Sequence, residues 1–469
     1  MLTAYELVQT SYRLPYPLYP FQIDAVNELA PLPRASYWLD TGTGKTITSI
    51  TSALYKLLKG SIDNVIVLMP PILITNWGRT LSAIKGVTWT AYKGTPAVRG
   101  KLGLNVNFIL MSYEIFRMDN AKLFDHFANK TTLIIADEST KIKNVGTKSF
   151  KMVRDWHANS HLMLLSGTPI SNPADGYAPV KLVAPLIYRN LNQFENLFIK
   201  SRDFFNNPKE WHNLDLLHEN LMCHAVRVLK TDVLKDLPPV TYNPVYYEMD
   251  KGHTRTYETL CEEQILKFDD GTKLDATQAT RLFHALQQIP MNRETFTQEE
   301  GVMSMGVELI EEILEELEPR GKLVIFTAYK ATNRMLIKHL EKYGVVAVFG
   351  EISAAQQQRN IDLFVESKKC RVILLQLQSA SFGLDKLQTV CNDALFVEMP
   401  MTPSQFHQAV ARLWRIGQSS PVNVRVAIAE RTIQVRLWEV LQDKDSLVNV
   451  CIRGYDDLKK ALKGNNVTI

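Results

Sequence analysis

A glycine-bracketed turn, Gly42-Thr43-Gly44-Lys45-Thr46, lies between a run that reads as a strand, Tyr37-Trp38-Leu39, and one that reads as a helix, Ile47 to Leu54. Few local patterns constrain a chain more, because a strand feeding a helix through such a turn commits it to a βα unit. Glycines let consecutive backbone N–H groups point at anionic oxygens, at a helix N-terminus whose dipole also favours negative charge. Lys45 would then reach the β- and γ-phosphates of a nucleoside triphosphate, and the Thr46 hydroxyl would hold Mg²⁺. The match is incomplete: the first glycine of G-x-x-x-x-G-K-[ST] would fall at Leu39.

Further runs extend the pattern. Val65–Met69, Phe108–Met111, Leu133–Ala136 and His161–Leu165 are short, apolar and not strictly alternating. Helix-length polar segments separate them, as in parallel strands covered on both faces. A second set follows at Lys322–Phe326, Val345–Phe349, Arg371–Leu375, Ala394–Val397 and Val422–Val426. A chain of 469 residues suits two or three domains, so two α/β lobes with parallel sheets are expected. Residues 1–245 form the first, with a helical insertion at about 175–235. Residues 246–320 form a helical linker, where Ile310, Ile313, Leu314 and Leu317 make an apolar helical stripe. Residues 321–469 form the second lobe and C-terminal helices.

Asp137-Glu138 directly follows the apolar run Leu133–Ala136. Carboxylates at a strand end can hold Mg²⁺ (Asp137) and polarise an attacking water (Glu138). An isolated Asp-Glu pair more often solvates a loop; its place after a buried strand, downstream of a phosphate loop, favours chemistry. Gln22, upstream of that loop, has an amide that both donates and accepts, which suits an adenine edge.

Composition narrows the class. Fifty-three basic against 49 acidic residues leave +4, so nucleic-acid contact would need a local groove rather than bulk charge. Five scattered cysteines, with no C-x-x-C pair, read as reduced thiols rather than a disulfide frame or zinc site. The N-terminus reads as no signal peptide, and Val65–Ile74, broken by Pro70-Pro71, is too short to span a bilayer. A cytoplasmic protein of a bacterial or phage-infected cell is expected, or a nuclear one in a eukaryote.

Beyond these elements the chain resembles superfamily 2 helicases, and within them the SNF2-like DNA translocases, through ordered motifs spanning residues 18 to about 435. Asp137 to Asn144 is similar to motif II with the SNF2-type Ile-Lys-Asn ending, and Leu165 to Asn172 to motif III. Pro70 to Trp77 resembles motif Ia, and Met111 to Glu114 motif Ib. The most discriminating stretch, Arg227 to Pro239, resembles the segment that closes the first lobe in SNF2 proteins. Ile325 to Tyr329 resembles motif IV, Ser379 to Asp385 motif V, and Gln408 to Gln418 motif VI.

The resemblance implies two RecA-like lobes joined by helical SNF2-type insertions, ATP and Mg²⁺ as cofactors, and DNA as partner. It adds Gln408, Arg412 and Arg415 to the catalytic set, the arginines as γ-phosphate contacts, and Gly383 and Asp385 to the nucleotide site. Thr75, Asn76, Ser112, Tyr113, Lys143, Thr327 and Ser379 are the implied DNA contacts, although any one could be a cap or turn residue. Thr140, Ser166, Gly167 and Thr168 are the implied coupling residues. Several positions depart from the family. Ser139-Thr140 replaces Ala-His in motif II, and the Thr140 and Ser166 hydroxyls are expected to substitute for that histidine. Gly383-Leu384-Asp385 follows the general superfamily 2 form, Met401-Thr402 stands for Trp-Asn, and Trp414 for a histidine.

No flanking histone-reading or zinc module stands out, so a small stand-alone motor is expected. It would be a monomer that remodels branched DNA (duplex, forked or four-way junction), by branch migration, fork regression or unwinding, alongside replication or recombination proteins. A motor that displaces bound proteins, the motor subunit of a nuclease or defence complex, and a non-hydrolysing DNA scaffold remain open.

Overall fold

The computed structural model describes residues 2–156, 160–204, 206–263, 265–267, 273–275, 279–297, 303–317, 321–377 and 386–442. The chain divides into two compact units between Lys235 and Asp236. In the first, strands β1 (Arg34–Leu39), β2 (Asn64–Met69), β3 (Trp89–Ala91), β4 (Phe108–Ser112), β5 (Thr132–Asp137) and β6 (Ser160–Leu165) are joined by helices or helical turns. A hairpin, β7 (Ile199–Arg202) with β8 (Pro208–Trp211), precedes β9 (Ala225–Val228). The sheet order is β3-β4-β2-β5-β6-β1-β9, every pair parallel.

Both faces of this sheet are dry, which explains the continuous apolar runs. Val65 and Val67 of β2 join Leu133 and Ile135 of β5 in one core, while Ile66, Leu68, Ile134 and Ala136 join another on the opposite face. A parallel sheet directs every C-terminal strand end to one edge, where open α/β sheets bind ligands. Because β5, β6 and β1 are adjacent, the turns after them lie side by side on that edge.

The second unit carries β10 (Val240–Tyr247), the antiparallel pair β11 (Ile265–Lys267) and β12 (Lys273–Asp275), then β13 (Leu323–Thr327), β14 (Val345–Val348), β15 (Val372–Gln376), β16 (Asp393–Phe396) and β17 (Val422–Ala429). Its main sheet runs β10-β17-β16-β13-β15-β14, again parallel throughout. Alternate residues of β13 serve opposite cores: Val324 and Phe326 in one, Leu323 and Ile325 in the other.

Two expectations change. The first unit ends before residue 245, because Val240–Tyr247 pairs along its whole length with Val422–Ala429 and so belongs to the second sheet. The insertion at about 175–235 is not purely helical. Helices Tyr177–Val183, Leu191–Phe198 and Leu214–Met222 are present, but the segment also holds the β7–β8 hairpin and β9, an edge strand paired with β1. The stripe at Ile310, Ile313 and Leu314 is buried on helix Met305–Glu316.

Candidate functional site

The turn after β1 is built from local backbone geometry. Gly42 and Gly44 adopt φ of +87° and +85°, a region that costs other residues about 1–2 kcal/mol. Gly44 caps helix Lys45–Leu58. Thr43 is buried, its Oγ1 donating back to the Asp40 carbonyl at 2.6 Å, so its backbone rather than its hydroxyl serves the cradle. Gln22 is buried as well: its Nε2 donates to the Thr43 carbonyl at 2.8 Å, and its Oε1 accepts the Tyr19 N–H at 2.9 Å. Gln22 therefore braces the loop from beneath. A Cβ at position 44 would collide with its Nε2.

Lys45, half-buried, donates through Nζ to the Leu39 carbonyl at 3.0 Å. Burial pushes its ammonium down, opposed by the charges of Glu138, Asp137 and Asp40. Asp137 ends β5 and is buried; burial pushes its carboxyl up, while Lys45 and two N–H donors pull the other way. Its Oδ2 accepts Trp77 Nε1–H at 2.9 Å, its Oδ1 the Glu138 N–H at 3.0 Å, and its carbonyl the Tyr113 hydroxyl at 2.8 Å. Glu138 sits at φ 54°, ψ 54°, a left-handed conformation that non-glycine residues adopt mainly where surrounding structure enforces it.

The motif III turn closes on the same place. A Cβ at Gly167 would lie 3.2 Å from Lys45 Nζ. The Ser166 hydroxyl accepts the Thr168 N–H at 3.1 Å, inside its own turn. No hydrogen bond joins Ser166 to Thr140, so the expected substitute for the missing histidine is not made. Arg227 ties the motif III turn to the end of β1 and the start of the phosphate loop, not to motif II. Its Nη1 donates to the carbonyls of Trp38 at 2.9 Å and Gly167 at 3.1 Å, and its Nη2 to Asp40 Oδ1 at 2.7 Å. Burial alone would raise Asp40, but Arg227 and the N–H and charge of Lys230 hold its carboxyl below its ordinary value.

The implied DNA contacts separate into two groups. Thr75 and Asn76 are exposed at the start of helix Ile74–Ser82. Ser112 and Tyr113 are buried, Ser112 capping helix Tyr113–His126 and Tyr113 supporting Asp137. Thr327 is fully buried with Oγ1 bonded to Asn333 Oδ1 at 3.1 Å. Lys143 is paired with Asp175 at 3.0 Å, and Asp175 also takes the Ser171 N–H at 2.8 Å. The hydroxyls of Ser112, Tyr113 and Thr327 are thus committed to partners inside their own lobes. Ser379, Gly383 and Asp385 lie outside the described residues.

In the second unit Gln408 lies on helix Pro403–Val410 and donates to Ser404 Oγ at 3.4 Å. Arg412 is buried and Arg415 half-buried in the following turn. Gln418 organises that turn: its Nε2 donates to the carbonyls of Cys391 and Leu413, and its Oε1 accepts the N–H groups of Ser419 and Ser420. Trp414, in place of the family histidine, donates to the Pro238 carbonyl at 2.9 Å.

Trp77, Asp40 and Arg227 escaped sequence reasoning about the site. Trp77 and Arg227 lay within motif-like stretches, yet only the fold reveals what they bond to.

A phosphate loop after one strand, a buried carboxylate two strands away and a closing turn on the strand between define a P-loop ATPase lobe. The chain belongs to the SNF2-related family: residues 39–297 match the SNF2-related domain, and residues 306–417 the helicase conserved C-terminal domain. It is 28% identical over 461 residues to the Xenopus tropicalis SWI/SNF-related matrix-associated actin-dependent regulator of chromatin subfamily A-like protein 1, covering 94% of this chain and 45% of that one. It is 22% identical over 373 residues to the human DNA annealing helicase and endonuclease ZRANB3, covering 76% and 33% respectively. Among solved structures, the Sulfolobus solfataricus SWI2/SNF2 ATPase core in complex with dsDNA matches at TM-score 0.44 and 22% identity, over 98% of this chain and 99% of that one. The chain spans less than half the length of these curated relatives.

Proposed function

We propose that this chain is a DNA-dependent ATPase motor that moves along DNA and remodels branched junctions. The observation that carries the reading is the convergence of Lys45, Asp137, Glu138 and the Arg227–Asp40 pair on one edge of a parallel sheet. The backbone N–H groups of the 42–46 turn cradle the phosphates, and Lys45 neutralises the β- and γ-oxygens. Among the described residues no group of three or more His, Cys, Asp or Glu could hold a metal by itself. Mg²⁺ typically takes one or two carboxylates together with substrate phosphates, and Asp137 with Thr46 fits that habit. When bound, the ion supplies charge neutralisation at the phosphates.

Glu138 orients the water that attacks the γ-phosphorus, with ADP leaving. Arg412 and Arg415 keep the charge-stabilising role implied by the family, worth about 10³-fold or more in rate. Exposed Thr75 and Asn76 contact phosphates, which carry no sequence information. The junction-remodelling part draws support from a relative named as a DNA annealing helicase.

The test is ATP hydrolysis titrated with single-stranded, duplex, forked and four-way-junction DNA and with RNA, junction products being resolved in parallel. DNA stimulation, lost in Lys45→Ala, and conversion of the branched substrates are expected. Affinity should fall steeply with salt if phosphates dominate binding. Stimulation by RNA alone removes the reading, and duplex stimulation without junction conversion removes its branched-DNA part.

A further inference from the structure

We infer that Trp77 and Tyr113 are positioning residues that transmit nucleic-acid engagement on the first unit to Asp137, the carboxylate assigned to Mg²⁺. The inference rests on the proposed reading that Thr75 and Asn76 face DNA.

Asp137 is held by donors from outside its own strand. Trp77 reaches Oδ2 from the helix after β2, and Tyr113 reaches the main-chain carbonyl from the helix after β4. The sheet order β4-β2-β5 makes these the two connections nearest to β5 on that side. Trp77 follows exposed Thr75 and Asn76 directly on helix Ile74–Ser82. Whatever grips those two residues therefore pulls on the backbone that carries the indole.

The geometry leaves little slack. Trp77 is 1% and Tyr113 6% exposed. Gly78, next to Trp77, lets the helix sit so close to β3 that a Cβ there would come within 2.5 Å of the Trp89 ring. An indole N–H is a single, donor-only group, and its bond weakens steeply with misalignment. A small tilt of this helix would thus change how one oxygen of a buried carboxylate is satisfied. The other oxygen is occupied by the Glu138 N–H, so a shift at Asp137 reaches the left-handed backbone of Glu138 at once.

The plainer alternative is that Trp77 only fills the core, where it packs in the same cluster as Ile74 and Leu81. Trp77→Phe keeps an aromatic ring there and removes the N–H; Tyr113→Phe removes one hydroxyl and keeps everything else. The experiment measures duplex-DNA affinity of the full chain by fluorescence anisotropy, with and without AMP-PNP and Mg²⁺. The ratio of the two affinities is a coupling factor that must be the same from either ligand's side.

Trp77→Phe is expected to move this factor toward unity by about fivefold or more, within the usual span of allosteric couplings. Tyr113→Phe moves it in the same direction. Nucleotide-free DNA affinity and melting temperature stay near wild type. An unchanged factor in both variants, with the wild-type factor intact, overturns the inference alone. A matching collapse of coupling and melting temperature in both variants assigns the residues to packing and also overturns it. A wild-type chain that binds no DNA overturns the proposed function, and this inference with it.

Discussion

Arg227 and Asp40 form a 2.7 Å ion pair, Nη2 to Oδ1, with side chains 13% and 24% exposed. The same guanidinium ties the carbonyls of Trp38, before the phosphate loop, and Gly167, in the motif III turn. Arg227→Ala should cost roughly 2 kcal/mol, less than a fully buried pair because solvent screens part of it. Loosening these two loops should slow hydrolysis roughly 10- to 100-fold, since a misplacement of about 1 Å can cost about 100-fold. Arg227→Lys should not rescue, because a point-charge ammonium cannot serve three acceptors in a planar fork. Urea unfolding and single-turnover hydrolysis read the two effects separately.

Gly44→Ala confronts two obstacles at once. Its φ of +85° costs an alanine about 1–2 kcal/mol, and the new methyl meets Gln22 Nε2. Nucleotide affinity, measured with a fluorescent ATP analogue, should fall sharply. Adding Gln22→Ala should restore part of the lost stability, since it removes the collision and leaves the dihedral cost. It should restore little binding, because the Thr43 carbonyl then loses the 2.8 Å amide that braces the loop.

Much of the fold was written locally. The runs at Val65–Met69 and Leu133–Ala136 became β2 and β5 because strands buried on both faces need no alternation. Residues 225–228 and 240–247 were not legible as strands. β9 is four residues long and half-buried, and β10 is largely exposed, so neither shows an apolar run. What makes them strands is a partner far along the chain, Ser36–Leu39 for one and Val422–Ala429 for the other. The glycines, lysine and strand-end acids of the candidate site were legible, and the structure gathers them at one edge of the sheet. The side-chain partners were not: a motif position says which hydroxyl is present at Ser112, Tyr113 or Thr327, and nothing about its pointing inward.

Glu398, buried after β16, predicts a pH dependence in the second unit. Burial pushes its carboxyl up to about 7, against the N–H groups of Ala328 and Tyr329 and the Thr332 hydroxyl. With the folded value above the ordinary 4.5, the native state holds the proton more tightly than the unfolded chain. The Glu398 contribution is thus most favourable below about pH 4.5 and is lost as pH rises through about 7. The full swing is on the order of 3 kcal/mol. Glu398→Gln should flatten that part of the stability curve, which urea titrations at successive pH values between those limits would reveal.

Trp414 replaces a polar ring with a larger donor, and Pro238 shows what the exchange achieves. The indole N–H reaches the Pro238 carbonyl at 2.9 Å, while the next carbonyl, of Pro239, accepts the Val422 N–H at 2.9 Å. The Leu237-Pro238-Pro239 segment is thereby fastened twice, once to the motif VI turn and once to the start of β17. Trp414→Phe keeps a ring against the second unit's core, where Trp414 is partly buried, and removes only the first fastening. A single hydrogen bond of this kind is worth about 1 kcal/mol net, and that loss should appear in urea unfolding. Because β10 begins at Val240, directly after the released segment, its amides should exchange faster with deuterium, while those of β13 and β15 in the sheet interior keep their wild-type protection. Faster exchange spread evenly over the whole sheet would mean instead that the ring's packing, and not its N–H, holds this segment.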